Sequence, residues 1–158
     1  MLYPTDVSDK KWLQIKSFFE QKHKSGRPLE YSRRDIVNAL LYITKTGCQW
    51  RMLPNDFPPW TTVYYYFQKW NTAGVWEKVL DVLNKMDRTQ QGRAANPSLS
   101  IVDSQSTKTQ YNSDKRGIDG GKKLKGRKRH LVTDIEGQLL DVTVHAANIH
   151  NTRAAPSP

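Results

Sequence analysis

The sequence predicts an α+β chain, with a helical first half and a small antiparallel sheet in the second. Three observations carry this. Apolar residues recur at helical spacing up to about residue 88. The stretch Arg88–Pro97, RTQQGRAANP, is polar and broken by Gly92 and Pro97. Beyond it the apolar period shortens to about two residues, the alternation of a half-buried strand. The expected organisation is a helical domain over 1–88, a linker over 89–97, a β portion over 98–149 and an irregular tail over 150–158.

The first helix follows Ser8, an N-cap residue with Asp9 in the first turn, and carries Trp12, Ile15 and Phe19 on one stripe. His23–Tyr31, with Gly26 and Pro28, reads as a loop. Ser32-Arg-Arg-Asp35 has the outline of a capping box, and Ile36, Leu40 and Ile43 form the stripe behind it, with Gly47 as the stop. Cys48–Pro59, CQWRMLPNDFPP, is a loop weighted with Trp50, Met52, Leu53 and Phe57, which should pack back on the helices. A third helix from about Trp60 carries Val63, Tyr64, Phe67 and Trp70. Gly74 ends it, and a fourth carries Trp76, Val79, Leu80, Leu83 and Met86. The strands expected after the linker are Leu99–Asp103, about Arg127–Asp134, and Gln138–His145. The last two are joined by the turn Ile135–Gly137 as a hairpin.

The chain has 158 residues, 25 Lys+Arg against 15 Asp+Glu and a net charge of +10. That excess points to a polyanionic partner, nucleic acid before an anionic membrane surface. Cys48 is the single cysteine, which excludes an intrachain disulfide and a cysteine-based zinc site and fits a cytoplasmic setting. The apolar run Ile36–Ile43 is too short to span a bilayer, so no membrane role is expected.

Two regions are candidates for nucleic-acid contact. The second and third helices form a helix-turn-helix-like unit, although the loop between them exceeds the three or four residues of a strict motif. In that arrangement Tyr65, Tyr66, Gln68 and Lys69 fall off the apolar stripe of the third helix and face DNA, with Arg33 and Arg34 opening the second. The same aromatics serve as core and rim of a small helical bundle if no DNA is bound. The second region is Asp114–His130, DKRGIDGGKKLKGRKRH. Lys122, Lys123, Lys125, Arg127, Lys128 and Arg129 lie there among glycines that let a chain follow a backbone closely. Six such cations on phosphates would weaken binding on the order of 10³-fold between 50 and 200 mM salt.

Asp103 is the candidate for chemistry. A carboxylate delivered by a strand into an open loop suits a divalent-metal site for phosphoryl transfer, which needs several Asp or Glu ligands. An Asp capping a turn at Ser104–Ser106 is the alternative. Asp134 and Glu136 fall at the hairpin turn, Asp141 alternates toward solvent, and none makes a second ligand.

Taken together, CQWRMLPNDFPPWTTVYYYFQKW, IVDSQSTKT and GIDGGKKLKGRKRHLVTDIEGQLLDVTVHAANIH, spanning about Tyr3 to Arg153, resemble bacterial insertion-sequence transposases of the IS-five type. The resemblance implies a helical DNA-binding region followed by an RNase H-like domain. It also implies DNA transposition with an Asp-Asp-Glu triad and Mg²⁺. Asp103 matches the family's first catalytic aspartate and metal ligand, and the hairpin matches the next two strands. The family's second Asp and its Glu have no counterpart here, which predicts the first three strands of an incomplete RNase H-like domain. The expectation is a transposase, or the N-terminal portion of one truncated by a frameshift or a premature stop. It should bind transposon terminal inverted repeats and be inactive alone. A second-frame C-terminal half or self-association would supply the partner. The alternative is a DNA-binding regulator that lacks catalysis.

Overall fold

The computed structural model describes residues 3–20, 30–110 and 116–149. It divides into two compact units, Met1–Val79 and Leu80–Pro158. The dividing line falls inside a helix, before the polar stretch 89–97. The expected loop at 23–31 lies mostly outside the described residues, and the tail from 150 lies wholly outside.

The first unit is built from α1 (Asp9–Phe19), α2 (Arg33–Thr46), a short 3-10 turn (Trp50–Met52), α3 (Trp60–Thr72) and the start of α4 (Val75–Gln90). The local signals in the sequence set these ends. Ser8 accepts a hydrogen bond from the Lys11 amide, and Ser32 accepts one from the Asp35 amide while its hydroxyl donates to the Asp35 carboxylate at 2.6 Å. Gly47, at φ 68°, ends α2 in the left-handed conformation that glycine adopts without a Cβ penalty. Ile15, Phe19, Ile36, Val37, Leu40, Val63 and Trp70 are buried and form the core. Phe19 meets Trp70 edge-on at 4.7 Å, and Trp76 lies 5.4 Å from it.

The proline-rich loop packs back as its composition predicts, except at one residue. Trp50 lies against Tyr64 and Phe67, and Phe57 stacks on Tyr3. Met52 stays 69% exposed. Asn38, the polar interruption of the apolar run in α2, accepts a hydrogen bond from the Val7 amide at 2.9 Å and so fastens the lead-in segment to α2.

The second unit holds the last turns of α4 and a four-stranded sheet: β1 (Ile101–Lys108), β2 (Gly117–Asp119), β3 (Leu124–Thr133) and β4 (Leu139–Ala146). All pairings are antiparallel, and β3 is central. It pairs with β1 along Ile101↔Thr133 to Lys108↔Gly126, with β2 through its first three residues, and with β4 through the rest.

Two expectations are corrected here. The sheet has four strands rather than three, because a short strand forms inside the basic stretch where glycines hide any alternation. The first strand also does not stop at Asp103. It continues through Ser104–Lys108, since β3 satisfies the backbone of these polar residues as a ladder and removes the need for a turn. Asp103 therefore lies within a strand, opposite Leu131.

Asp134 organises the β3–β4 turn. Its Oδ1 accepts from the Glu136 amide at 2.9 Å and the Gln138 amide at 3.0 Å. Its Oδ2 accepts from Arg88 on α4 at 2.5 Å, in a pair that is buried on both sides. Arg88 also donates to the Ala94 carbonyl, Asn84 donates to the Leu139 carbonyl, and Arg93 lies 3.8 Å from Asp134. The polar segment after α4 is thus tied into this unit by its arginines.

Candidate nucleic-acid interface

A strand exposes alternate residues on opposite faces, and cross-strand partners share a face. Asp103 therefore shares a face with Ile101, Gln105 and Thr107 of β1, Leu131 and Arg129 of β3, and Val142 and Val144 of β4. Asp103, Ile101, Val142 and Val144 are all exposed. Arg129 donates from Nε to the Gln105 amide oxygen at 2.9 Å, two residues along from Asp103. No second carboxylate lies on this face among the paired residues of β1, β3 and β4.

Three further described acids of the unit are placed elsewhere. Asp141 pairs with Val132, on the opposite face, and is exposed. Asp134 is enclosed in the turn. Burial works against its ionisation, but the Gln138 and Glu136 amides, Arg88 and Arg93 outweigh that, and its pKa is lowered. Asp119 is held by the Ser106 hydroxyl at 2.6 Å, the Gly121 and Lys122 amides, and Lys128 at 3.5 Å. These contacts, the Ser106 bond first, bring its pKa to about 2. Sequence reasoning did not single out Asp119. The signal available was Asp119-Gly-Gly, a carboxylate placed to accept from amides two and three residues on.

The basic stretch divides into cations with different surroundings. Lys122, Lys123 and Lys125 are exposed around the tight connection between β2 and β3, where Lys123 takes a positive φ of 49°. Arg129 is exposed beside Gln105, and Arg127 is half-buried. Lys128 points to the other face. It is buried, 3.5 Å from Asp119, and it donates to the Ile149 carbonyl. Gly126 is required by the sheet itself. Lys108 and Gly117 flank it, and a Cβ there would run into the Thr107 carbonyl oxygen.

His130 and His145 stack with ring centroids 5.0 Å apart on the Lys128 face, and both are buried. Burial first, then His145 and Lys128, lowers the His130 pKa and keeps that ring neutral near pH 7. Two stacked imidazoles beside an ammonium are a packed interior, and no cluster of three metal-ligating side chains occurs among the described residues.

In the helical unit Tyr65 and Lys69 are exposed on α3. Gln68 is exposed and donates to the Tyr64 hydroxyl at 2.8 Å. Tyr66 lies beneath the guanidinium of Arg33, which is buried. Arg34 bridges to Asp9 and to the Val7 carbonyl, each at 2.5 Å, and so joins the start of α1 to α2.

Comparison with known proteins adds the family. The family model described as "Putative transposase of IS4/5 family (DUF4096)" matches residues 7–80, and the one described as "Transposase DDE domain" matches residues 94–157. The "Insertion element IS402 uncharacterized 16.2 kDa protein" of Burkholderia cepacia is 28% identical over 105 residues, covering 60% of this chain and 71% of that protein. "Uncharacterized protein y4sN" of Sinorhizobium fredii is 29% identical over 77 residues, covering 49% of this chain and 62% of that protein. No solved structure matches. A DDE domain implies a divalent metal. Asp103 offers one oxygen-donor carboxylate, and a two-metal site needs several converging carboxylates. The described residues therefore do not by themselves fit a complete metal site. No helix among them is long and apolar enough to cross a membrane.

Proposed function

We propose, from the matches to the IS4/5 transposase and transposase DDE models, that the chain is an IS4/5-type transposase that binds the terminal inverted repeats of an insertion sequence in DNA transposition. The observation that carries this reading is the exposure of Lys122, Lys123 and Lys125 together around one tight connection, with Arg129 exposed further along β3. Such cations gain affinity by releasing counterions from the phosphate backbone. The exposed side of α3, with Tyr65, Gln68 and Lys69, is the second contact surface.

Asp103 is the metal-binding carboxylate of this reading, and Mg²⁺ is the ion it would help to hold. Among the described residues its face carries no second acid, so no chemical step is assigned to them alone. Carboxylates outside the described residues would complete the strand-cutting centre. The exposed Ile101, Val142 and Val144 around Asp103 give the segment that carries them an apolar surface.

The test is a gel-shift titration of the full chain on a duplex bearing the inverted repeat and on a scrambled duplex, alongside a Mg²⁺-dependent cleavage assay. The expected result is a salt-sensitive preference for the repeat without cleavage. Equal affinity for bulk RNA would sink the DNA reading. Cleavage abolished by Asp103→Asn would sink the claim that the centre is incomplete. The single carboxylate also favours a second reading, a regulator that occupies transposon ends. In that case Asp103→Ala leaves repression in cells unchanged while Lys69→Gln reduces it.

A further inference from the structure

Arg33, the first residue of α2, is only 6% exposed. Its guanidinium carbon lies 4.0 Å from the centroid of the Tyr66 ring. Its Nε and Nη1 are buried and have no hydrogen-bond partner. Acids near it in sequence or on α1 are engaged elsewhere: Asp9 pairs with Arg34, Asp35 bonds to Ser32, and Glu30 interacts with Tyr31. The segment 21–29, QKHKSGRPL, contains no carboxylate at all. A guanidinium taken out of water without an anion is costly, and the face of one aromatic ring offsets only part of that cost. A second cation shares the same ring, since the Lys69 ammonium lies 5.9 Å from the Tyr66 centroid. Two positive charges thus converge on one tyrosine.

We infer that Arg33, Tyr66 and Lys69 form a binding site for a DNA phosphodiester. The inference rests on the DNA-binding reading above and assigns a ligand class to one part of it. No hydrogen bond holds the Arg33 Nε and Nη1 in place, so turning the fork toward a phosphate breaks none there. In the complex the arginine exchanges uncompensated burial for charge-assisted hydrogen bonds to phosphate oxygens. The Tyr66 ring keeps the planar fork oriented, a task for which lysine is no substitute. Lys69, exposed beside it, supplies the second charge.

The test uses the full chain, a fluorescent duplex and anisotropy at several salt concentrations. Arg33→Met keeps the apolar bulk and removes a buried charge, so it should melt no lower than the wild type. It should weaken duplex binding on the order of tenfold and reduce the slope of log affinity against log salt by about 0.9. Arg33→Lys should recover the slope but not the affinity. Should Arg33→Met fail to fold, Lys69→Gln on the exposed face must lower the slope by the same amount. The Arg33 Nε–H resonance of the ¹⁵N-labelled wild type must also shift on adding duplex. Unchanged affinity and slope in a folded Arg33→Met, with the wild type binding normally, overturns this site and leaves the DNA reading standing. Absence of salt-dependent binding by the wild type overturns both. A shift of the Arg33 resonance with a carboxylate-rich peptide but not with duplex assigns the site to a protein partner and also refutes the proposal.

Discussion

Replacing Lys122, Lys123 and Lys125 together with Gln isolates the electrostatic part of the proposed DNA binding. The sequence alone allows six phosphate-facing cations in this stretch. The structure withdraws Lys128, which neutralises Asp119, and the half-buried Arg127, and leaves Lys122, Lys123, Lys125 and Arg129 exposed. Each phosphate contact contributes about 0.9 to the slope of log affinity against log salt. Four contacts therefore weaken binding roughly 150-fold between 50 and 200 mM salt, against on the order of 10³-fold for six. The triple substitution should flatten the slope by about 2.7, so the same salt step costs about 40-fold less than in the wild type. The difference between variant and wild type is the informative quantity, because cations elsewhere contribute equally to both. Anisotropy titration of a labelled repeat duplex measures it. Lys128→Gln is the internal control and should lower the melting temperature while leaving the slope unchanged. A triple variant with the wild-type slope, or a Lys128 variant that loses as much slope as Lys122→Gln, refutes the assignment.

The other predictions concern what holds each unit together. Gly126→Ala forces a Cβ against the Thr107 carbonyl and should destabilise the sheet by about 1–3 kcal/mol or more, read as faster amide exchange in β1 with α2 unaffected. Ile36→Ala empties a fully buried site in the helical unit at a cost of about 2–5 kcal/mol; tryptophan fluorescence reports it, since all five tryptophans fall within residues 12–76. Asp119 and Asp134 have lowered pKa values in the folded chain, so their stabilisation is complete above the ordinary Asp range, near pH 4, and is lost at lower pH, for Asp119 as pH falls toward about 2. Asp119→Asn should therefore flatten the acid limb of the stability profile of the sheet, followed by amide exchange, and an acid limb matching the wild type would contradict the pairing.

The helices were legible because their ends are written in single residues. Ser8, Ser32, Gly47 and Gly74 each do locally what their chemistry favours, and no distant partner is needed. The β half was read less completely for the opposite reason. Ser104 and Ser106 favour turns, the polar run through Thr107 has no apolar alternation, and pairing with β3 makes it a strand. β2 has three residues, opens on Gly117 and runs into Gly120, and it has no period to detect. The candidate DNA contacts show the same limit. Arg34 and Lys128 look like free surface cations in the sequence, yet Asp9 and Asp119 reach them only through the fold. Likewise, Asp103 could be recognised as a carboxylate on a strand, but only the cross-strand register shows that no acid among the paired residues shares its face.

The cations also constrain where sequence discrimination can reside. Contacts from Lys122, Lys123 and Lys125 to phosphates position a protein on DNA without reading bases. Base readout needs a donor or acceptor that can reach a base edge, and Gln68 on α3 is such a group, because a glutamine amide bonds adenine through two atoms at once. Its Nε2 is engaged with the Tyr64 hydroxyl, but both groups are exposed. An exposed neutral hydrogen bond contributes only about 0.5–1.5 kcal/mol net, whereas a bidentate base contact discriminates by about 1–3 kcal/mol. Exchanging one for the other is therefore affordable. Gln68→Ala should narrow the gap in affinity between the repeat and a scrambled duplex without altering the salt slope, the reverse of the lysine variants. If the gap persists in that variant, Gln68 does not read the repeat, and the discrimination must come from other groups or from the shape of the DNA.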